Sequence, residues 1–189
     1  MAFTTVGILL ALTALAAHAE HRYTATNLLP LKQYETCRYS AQVSAGTPPQ
    51  QFNLNLDSMT SNLWLYSSDC WDTVCWQVDV YKHKDSDSYV PNGEAESLEY
   101  TNTATLNGYL SSDEFTIAGF RVQNFQFLEV THLDIVRNQD TLLFNDIDGM
   151  LPLGFEGGAR IRLPAFWREV HAYNPTLGNS YSIYFGHPN

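Results

Sequence analysis

Apolar and polar residues alternate strictly over residues 52–56: Phe52, Leu54 and Leu56 fall on one face, Asn53 and Asn55 on the other. That is the period-2 pattern of a half-buried strand. The same alternation runs through 39–45, where Tyr39, Ala41, Val43 and Ala45 oppose Ser40, Gln42 and Ser44. Gly46-Thr47-Pro48-Pro49 lies between the two runs as a turn, so they are expected to pair as a hairpin. A second hairpin is expected over 96–117, and inside it Asn107-Gly108 is the strongest local turn signal. Phe120, Val122, Phe125 and Phe127 add strand and core material, and 181–185 reads as a closing strand. The period changes to a helical one only over 163–171, where Leu163, Phe166, Trp167 and Val170 share a face and Pro164 sits in the first turn. Residues 69–87 are irregular and polar apart from Trp71, Trp76 and Tyr81. The expected fold class is all-β, packed orthogonal sheets with one short helix.

Composition narrows the setting. At 189 residues, 44% apolar and 16% charged, the chain suits a single globular domain. Its formal charge of -10 comes without any basic cluster, which argues against nucleic acid as a partner. An apolar run from Val6 to Ala17 ends in Ala17-His18-Ala19, so 1–19 reads as a signal peptide with Glu20 as the mature N-terminus. The run is too short to span a bilayer, and no later stretch is apolar enough to do so. The expected location is therefore outside the cell or in the endolysosomal lumen. The six histidines have no metal-ligand spacing, and phosphate-loop, dinucleotide-binding and G-x-S-x-G motifs are absent. Neither a metal nor a cofactor is expected.

The candidate chemistry lies where the 52–56 strand runs into Asp57. Ser58, Thr60 and Ser61 follow, and a carboxylate ringed by hydroxyl donors can be held ionised by them. Asp also starts turns for purely structural reasons. The local pattern leaves both readings open.

The longer run around this strand carries a resemblance. From Gly46 to Trp64, GTPPQQFNLNLDSMTSNLW resembles the start of a pepsin-like aspartic protease, whose signature reads roughly G-T-P-x-Q followed by D-T-G-S-S-N-L-W. Gly46, Thr47, Pro48, Gln50, Asp57, Ser61, Asn62, Leu63 and Trp64 match at the family's spacing. The resemblance implies that Asp57 is a catalytic carboxylate, with Ser58 and Thr60 beside it as substrate-binding residues and Trp64 supporting the loop. It places Tyr100 as the tyrosine of a substrate-covering flap, where an ordinary strand aromatic is the alternative, and puts the flap tip within 101–105 rather than at Asn107-Gly108. Asp148-Gly149 resembles the family's structural D-G beside the catalytic loop. Cys70 and Cys75 stand where the family has a small disulfide loop. Cys37 is then left over, as a free thiol, an intermolecular bridge or an inert buried thiol.

The match covers one lobe, 39–189, after a short polar lead-in over 20–38 resembling a vestigial pro-segment. A pepsin-like enzyme takes one aspartate from each of two lobes, and the pair shares a proton. One carboxylate activates water while the protonated other polarises the scissile carbonyl. Asp134, Asp146 and Asp148 lack the context to supply the second. Met59 replaces the motif glycine and Pro152 another, departures that point to a degenerate site. The expectation is a peptide- or protein-binding member of the family, inactive as a monomer. The alternatives are an active homodimer built around two copies of Asp57, and a truncated product of a two-lobed protease gene.

Overall fold

The computed structural model describes residues 28–34, 38–101, 104–135, 144, 146–177 and 180–184. The signal-peptide segment, the first part of the lead-in and Cys37 lie outside the described residues. The described chain is mostly strand, with a single α-helix.

Eight strands form one sheet: β1 (Leu31–Tyr34), β2 (Arg38–Ala45), β3 (Gln50–Asp57), β4 (Trp64–Tyr66), β5 (Val90–Thr101), β6 (Ala104–Ile117), β7 (Phe120–Ile135) and β8 (Gly149–Pro152). Their order is β1-β2-β3-β8-β4-β7-β6-β5, and a further pairing of β2 with β6 closes six of them into a ring. β1 comes from the lead-in and pairs with β2, Leu31 opposite Ala41. The ring explains how one sheet encloses a core: side chains alternate along each strand, and closure turns one face inward. One cluster is built on Phe52, Leu54, Phe115, Phe125, Phe127 and Phe166. The other is built on Trp64, Tyr66, Leu106, Leu128, Phe144 and Met150.

The first expected hairpin is present, with Val43 opposite Phe52 and Ala41 opposite Leu54. The second differs from its strongest turn signal. Asn107 and Gly108 lie inside β6, paired with Ser97 and Glu96. The connection instead falls between Thr101 and Ala104, which pair with each other. Gly108 is there because of crowding: a Cβ at that position would stand 2.0 Å from the Glu129 carbonyl oxygen. The β6–β7 register also shifts between Asn107 and Gly108. A glycine inside a strand marks such a close approach or bulge. The tight turn from β6 to β7 is Ala118-Gly119, both at positive φ, the mirror-image geometry that two-residue hairpins require.

The helix α1 spans Phe166–Tyr173, starting later than the apolar spacing suggested. Pro164 lies ahead of it rather than in its first turn, and extended Ala165 is the N-cap. Phe166 and Val170 bury against the first cluster. Residues 180–184 are irregular rather than a closing strand; Tyr181 still reaches back, donating its hydroxyl to the Leu153 carbonyl at 2.7 Å.

Candidate functional site

β3 carries Asp57 to the rim of the sheet. β8 runs parallel to β3 with Pro152 opposite Asp57. Proline has no N–H to offer, and the next residue supplies it: the Leu153 N–H donates to the Asp57 carbonyl at 2.7 Å. The Gly154 N–H donates to the Thr60 carbonyl at 2.8 Å. Gly154 must be small, since a Cβ would meet that carbonyl oxygen at 2.5 Å. The Ser61 hydroxyl donates to the Phe155 carbonyl. Buried Asn62 accepts from the Arg160 N–H at 2.8 Å and donates to the Ile161 carbonyl at 3.1 Å. The loop from Asp57 to Trp64 is thus stitched to the chain leaving β8 by bonds that do not use the Asp57 carboxyl.

Three donors meet that carboxyl. The Met59 N–H reaches Oδ1 at 2.7 Å, and the Thr60 hydroxyl reaches Oδ2 at 3.2 Å. The Tyr100 hydroxyl, from the end of β5, donates to Oδ2 at 2.9 Å. Tyr100 packs edge-on against Phe144, with ring centroids 5.5 Å apart. Burial, and after it the neighbouring charge of Asp57, push its phenol well above the ordinary tyrosine range. It therefore stays protonated and can only donate to a carboxylate. Arg160 brings a cation near this pair and donates to the Glu99 carbonyl at 2.8 Å.

The candidate residues divide into those gathered at Asp57 and those that support it. Thr60 and Tyr100 touch the carboxyl; Ser58 is exposed and makes no hydrogen bond to it. Met59 supplies its backbone donor without needing a positive φ, and its side chain is 79% exposed. Its bulk therefore crowds nothing within the described fold. Trp64 is fully buried, and its indole N–H has no partner among the described residues. Asp148 Oδ2 accepts from the Asn53 N–H at 2.6 Å and Oδ1 from the Asp79 N–H at 2.9 Å, tying the head of β8 to β3. Burial raises the Asp148 carboxyl above its usual range, against the opposing pull of these two donors. A Cβ on Gly149 would stand 2.2 Å from the Trp64 carbonyl oxygen. Cys70 and Cys75 form a disulfide.

Among the described residues no second carboxyl is hydrogen-bonded to Asp57. Asp134 bonds to Asn107 and His132, and Asp148 is committed as above. No cluster of three or more metal-ligating side chains occurs among the described residues.

Sequence reasoning missed two residues around this loop. Asn62 matched only as part of a motif, but its buried amide organises the Arg160-Ile161 backbone. Arg160 carried no local signal, because its approach to the site depends on a contact across 61 positions of sequence.

Comparison with known proteins gives a consistent answer. The family described as "Eukaryotic aspartyl protease" matches residues 38–189. Aspartic proteinase A3 from Arabidopsis thaliana is 35% identical over 131 residues, which cover 69% of this chain and 25% of that protein. Cathepsin E from Aquarana catesbeiana is 36% identical over 126 residues, covering 67% of this chain and 30% of that protein. Vacuolar protease A from Neurospora crassa is 31% identical over 128 residues, covering 68% and 31%. The matched stretch thus covers well under half of each of these relatives.

Proposed function

Since the chain belongs to the eukaryotic aspartyl protease family, we propose that it binds peptide or protein segments between Asp57 and Tyr100 without hydrolysing them as a monomer. The observation that carries this reading is the Asp57 carboxyl itself. It is held by three donors, Tyr100 among them, and has no second carboxyl as partner among the described residues. Hydrolysis of an amide by this route needs a base for water and an acid for the carbonyl at once. One carboxyl cannot hold both protonation states together. A backbone carbonyl or amide of a bound peptide could replace the Tyr100–Asp57 contact without any chemistry following.

A second reading is an active homodimer that pairs two copies of Asp57. Its support is the exposure of Met59 (79%) and Phe155 (85%), two large apolar side chains on segments joined through Ser61. Apolar side chains left in water beside a functional loop suit a surface that something covers. A second lobe in a longer, two-lobed protease would cover it as well. Secretion, or delivery to an endolysosomal lumen, fits the Cys70–Cys75 disulfide, and one relative is named for the vacuole.

The test is equilibrium binding of fluorescent peptides to the full chain at acidic pH, with mass spectrometry of the recovered peptide. Saturable binding, weakened in Tyr100→Ala, with the peptide recovered intact, is the expected result. Cleaved peptide from a monomeric sample overturns the proposal.

A further inference from the structure

We propose that the cleft between Asp69, His83 and the β5–β6 hairpin receives a basic side chain, a lysine ammonium or an arginine guanidinium, carried by a protein partner. The site is separate from the Asp57 carboxyl and rests on four observations.

The first is a buried carboxylate whose capacity is already filled. Glu129 on β7 is 2% exposed. Ser67 and His83 donate to its Oε1 at 2.7 Å each, and Ser111 donates to Oε2 at 2.8 Å with Tyr89 beyond it at 3.4 Å. Glu129 is therefore a positioning residue, not a ligand contact. A carboxylate only accepts, so in the neutral tautomer of His83 the proton sits on Nδ1 and Nε2 is the acceptor.

The second is where that acceptor points. His83 Nε2 faces Asp69 Oδ2 across 3.9 Å. One ammonium can sit between them with ordinary hydrogen bonds of about 2.8 Å to each. The His83 ring is held for this by stacking on Tyr89, with centroids 5.1 Å apart.

The third is size and lining. The cleft has a volume of about 280 Å³, with Pro91, Gly93 and half-exposed Tyr109 completing its wall. That is room for a side chain rather than for a bare ion, and among the described residues no set of three metal-ligating groups exists here. An aromatic wall also favours an organic cation.

The fourth is charge. The Ser67 and His83 protons that could have bound an anion are turned to Glu129. Asp69 does have a cation of the chain's own, Lys84, 3.9 Å from Oδ1 and 78% exposed, a loose rim pair that an incoming cation can displace. The net charge of -10 draws basic partners toward the whole surface.

The experiment titrates the full chain with Nα-acetyl-lysine methylamide at pH 7.5, above the ordinary histidine range, and follows backbone amide shifts by NMR. The Nε-acetylated counterpart, which has the same stem without the charge, is the control. Saturable shifts at Asp69, His83 and Tyr109 with the charged probe alone are expected. Asp69→Asn and His83→Phe should each weaken binding about tenfold, the loss of one charge-assisted contact, while Lys84→Ala should tighten it. Both weakening variants change partly exposed side chains, and His83→Phe keeps a ring to stack on Tyr89. Equal binding of the neutral probe, no saturable shift, or unchanged affinity in both variants overturns the proposal.

Discussion

The Tyr100 hydroxyl donates to Asp57 Oδ2 at 2.9 Å, joining the end of β5 to the end of β3 across 43 positions of sequence. If peptides bind between Asp57 and Tyr100, as proposed, the Tyr100 hydroxyl must leave Asp57 while its ring stays as a wall of the site.

Removing only the hydroxyl isolates that contact. Tyr100→Phe keeps the ring against Phe144 and leaves Asp57 with the Met59 and Thr60 donors. The expected stability loss is about 1 kcal/mol, the usual worth of one hydrogen bond, with tighter peptide binding because no hydroxyl has to be displaced. Urea denaturation and peptide titration of the same sample check both.

Alkaline pH tests the buried phenols together. Burial raises Tyr66, Tyr81 and Tyr100 far above the ordinary tyrosine value of 10.0. A group raised in the folded state contributes stability that is complete below its unfolded value and is lost as pH climbs above it. The fold should therefore weaken steeply above about pH 10. Phenolate absorbance should rise in two phases, exposed tyrosines first and these three only with unfolding.

At the acid end Asp148 behaves in the opposite sense to most carboxylates. Its folded-state value is raised by burial from 3.8. Its contribution is thus greatest below about pH 4 and falls away as pH rises through the folded value. The stability difference between the natural chain and Asp148→Asn should shift in favour of the natural chain between pH 7 and pH 3. Thermal melts of both proteins across that range decide it.

Two glycines provide a steric contrast. Gly149→Ala forces a Cβ to within 2.2 Å of a backbone oxygen, whereas a Cβ on Gly157 meets nothing within 4 Å. Gly149→Ala should cost more than about 3 kcal/mol, and Gly157→Ala should stay within about 0.5 kcal/mol. Denaturant midpoints separate the two.

Much of this was legible in the chain because it is written locally. The 52–56 alternation sets the burial of Phe52 and Leu54, and the motif from Gly46 to Trp64 places Asp57 at the end of that strand. Asn107-Gly108 misled because a turn glycine and a close-approach glycine look alike in sequence; only the Glu129 backbone across the ladder distinguishes them. The Ala118-Gly119 turn was silent, since alanine rarely takes a positive φ. The partners of Glu129 were equally hidden: Ser67, His83 and Ser111 converge from separate segments, and no spacing announces that. Met59 reads in sequence as a steric fault, yet its side chain is exposed and meets no conflict within the described fold.

The most direct test of the single-carboxyl reading is solution mass and proteolysis measured on one sample. The full chain is sized, then incubated with a denatured protein at about pH 4, where two close carboxyls share one proton. Parallel samples contain an aspartic-protease inhibitor or carry Asp57→Asn. The predicted result is a folded protein that binds but does not cleave. Inhibitor-sensitive cleavage that tracks a dimer and disappears in Asp57→Asn would contradict it and establish the two-copy enzyme.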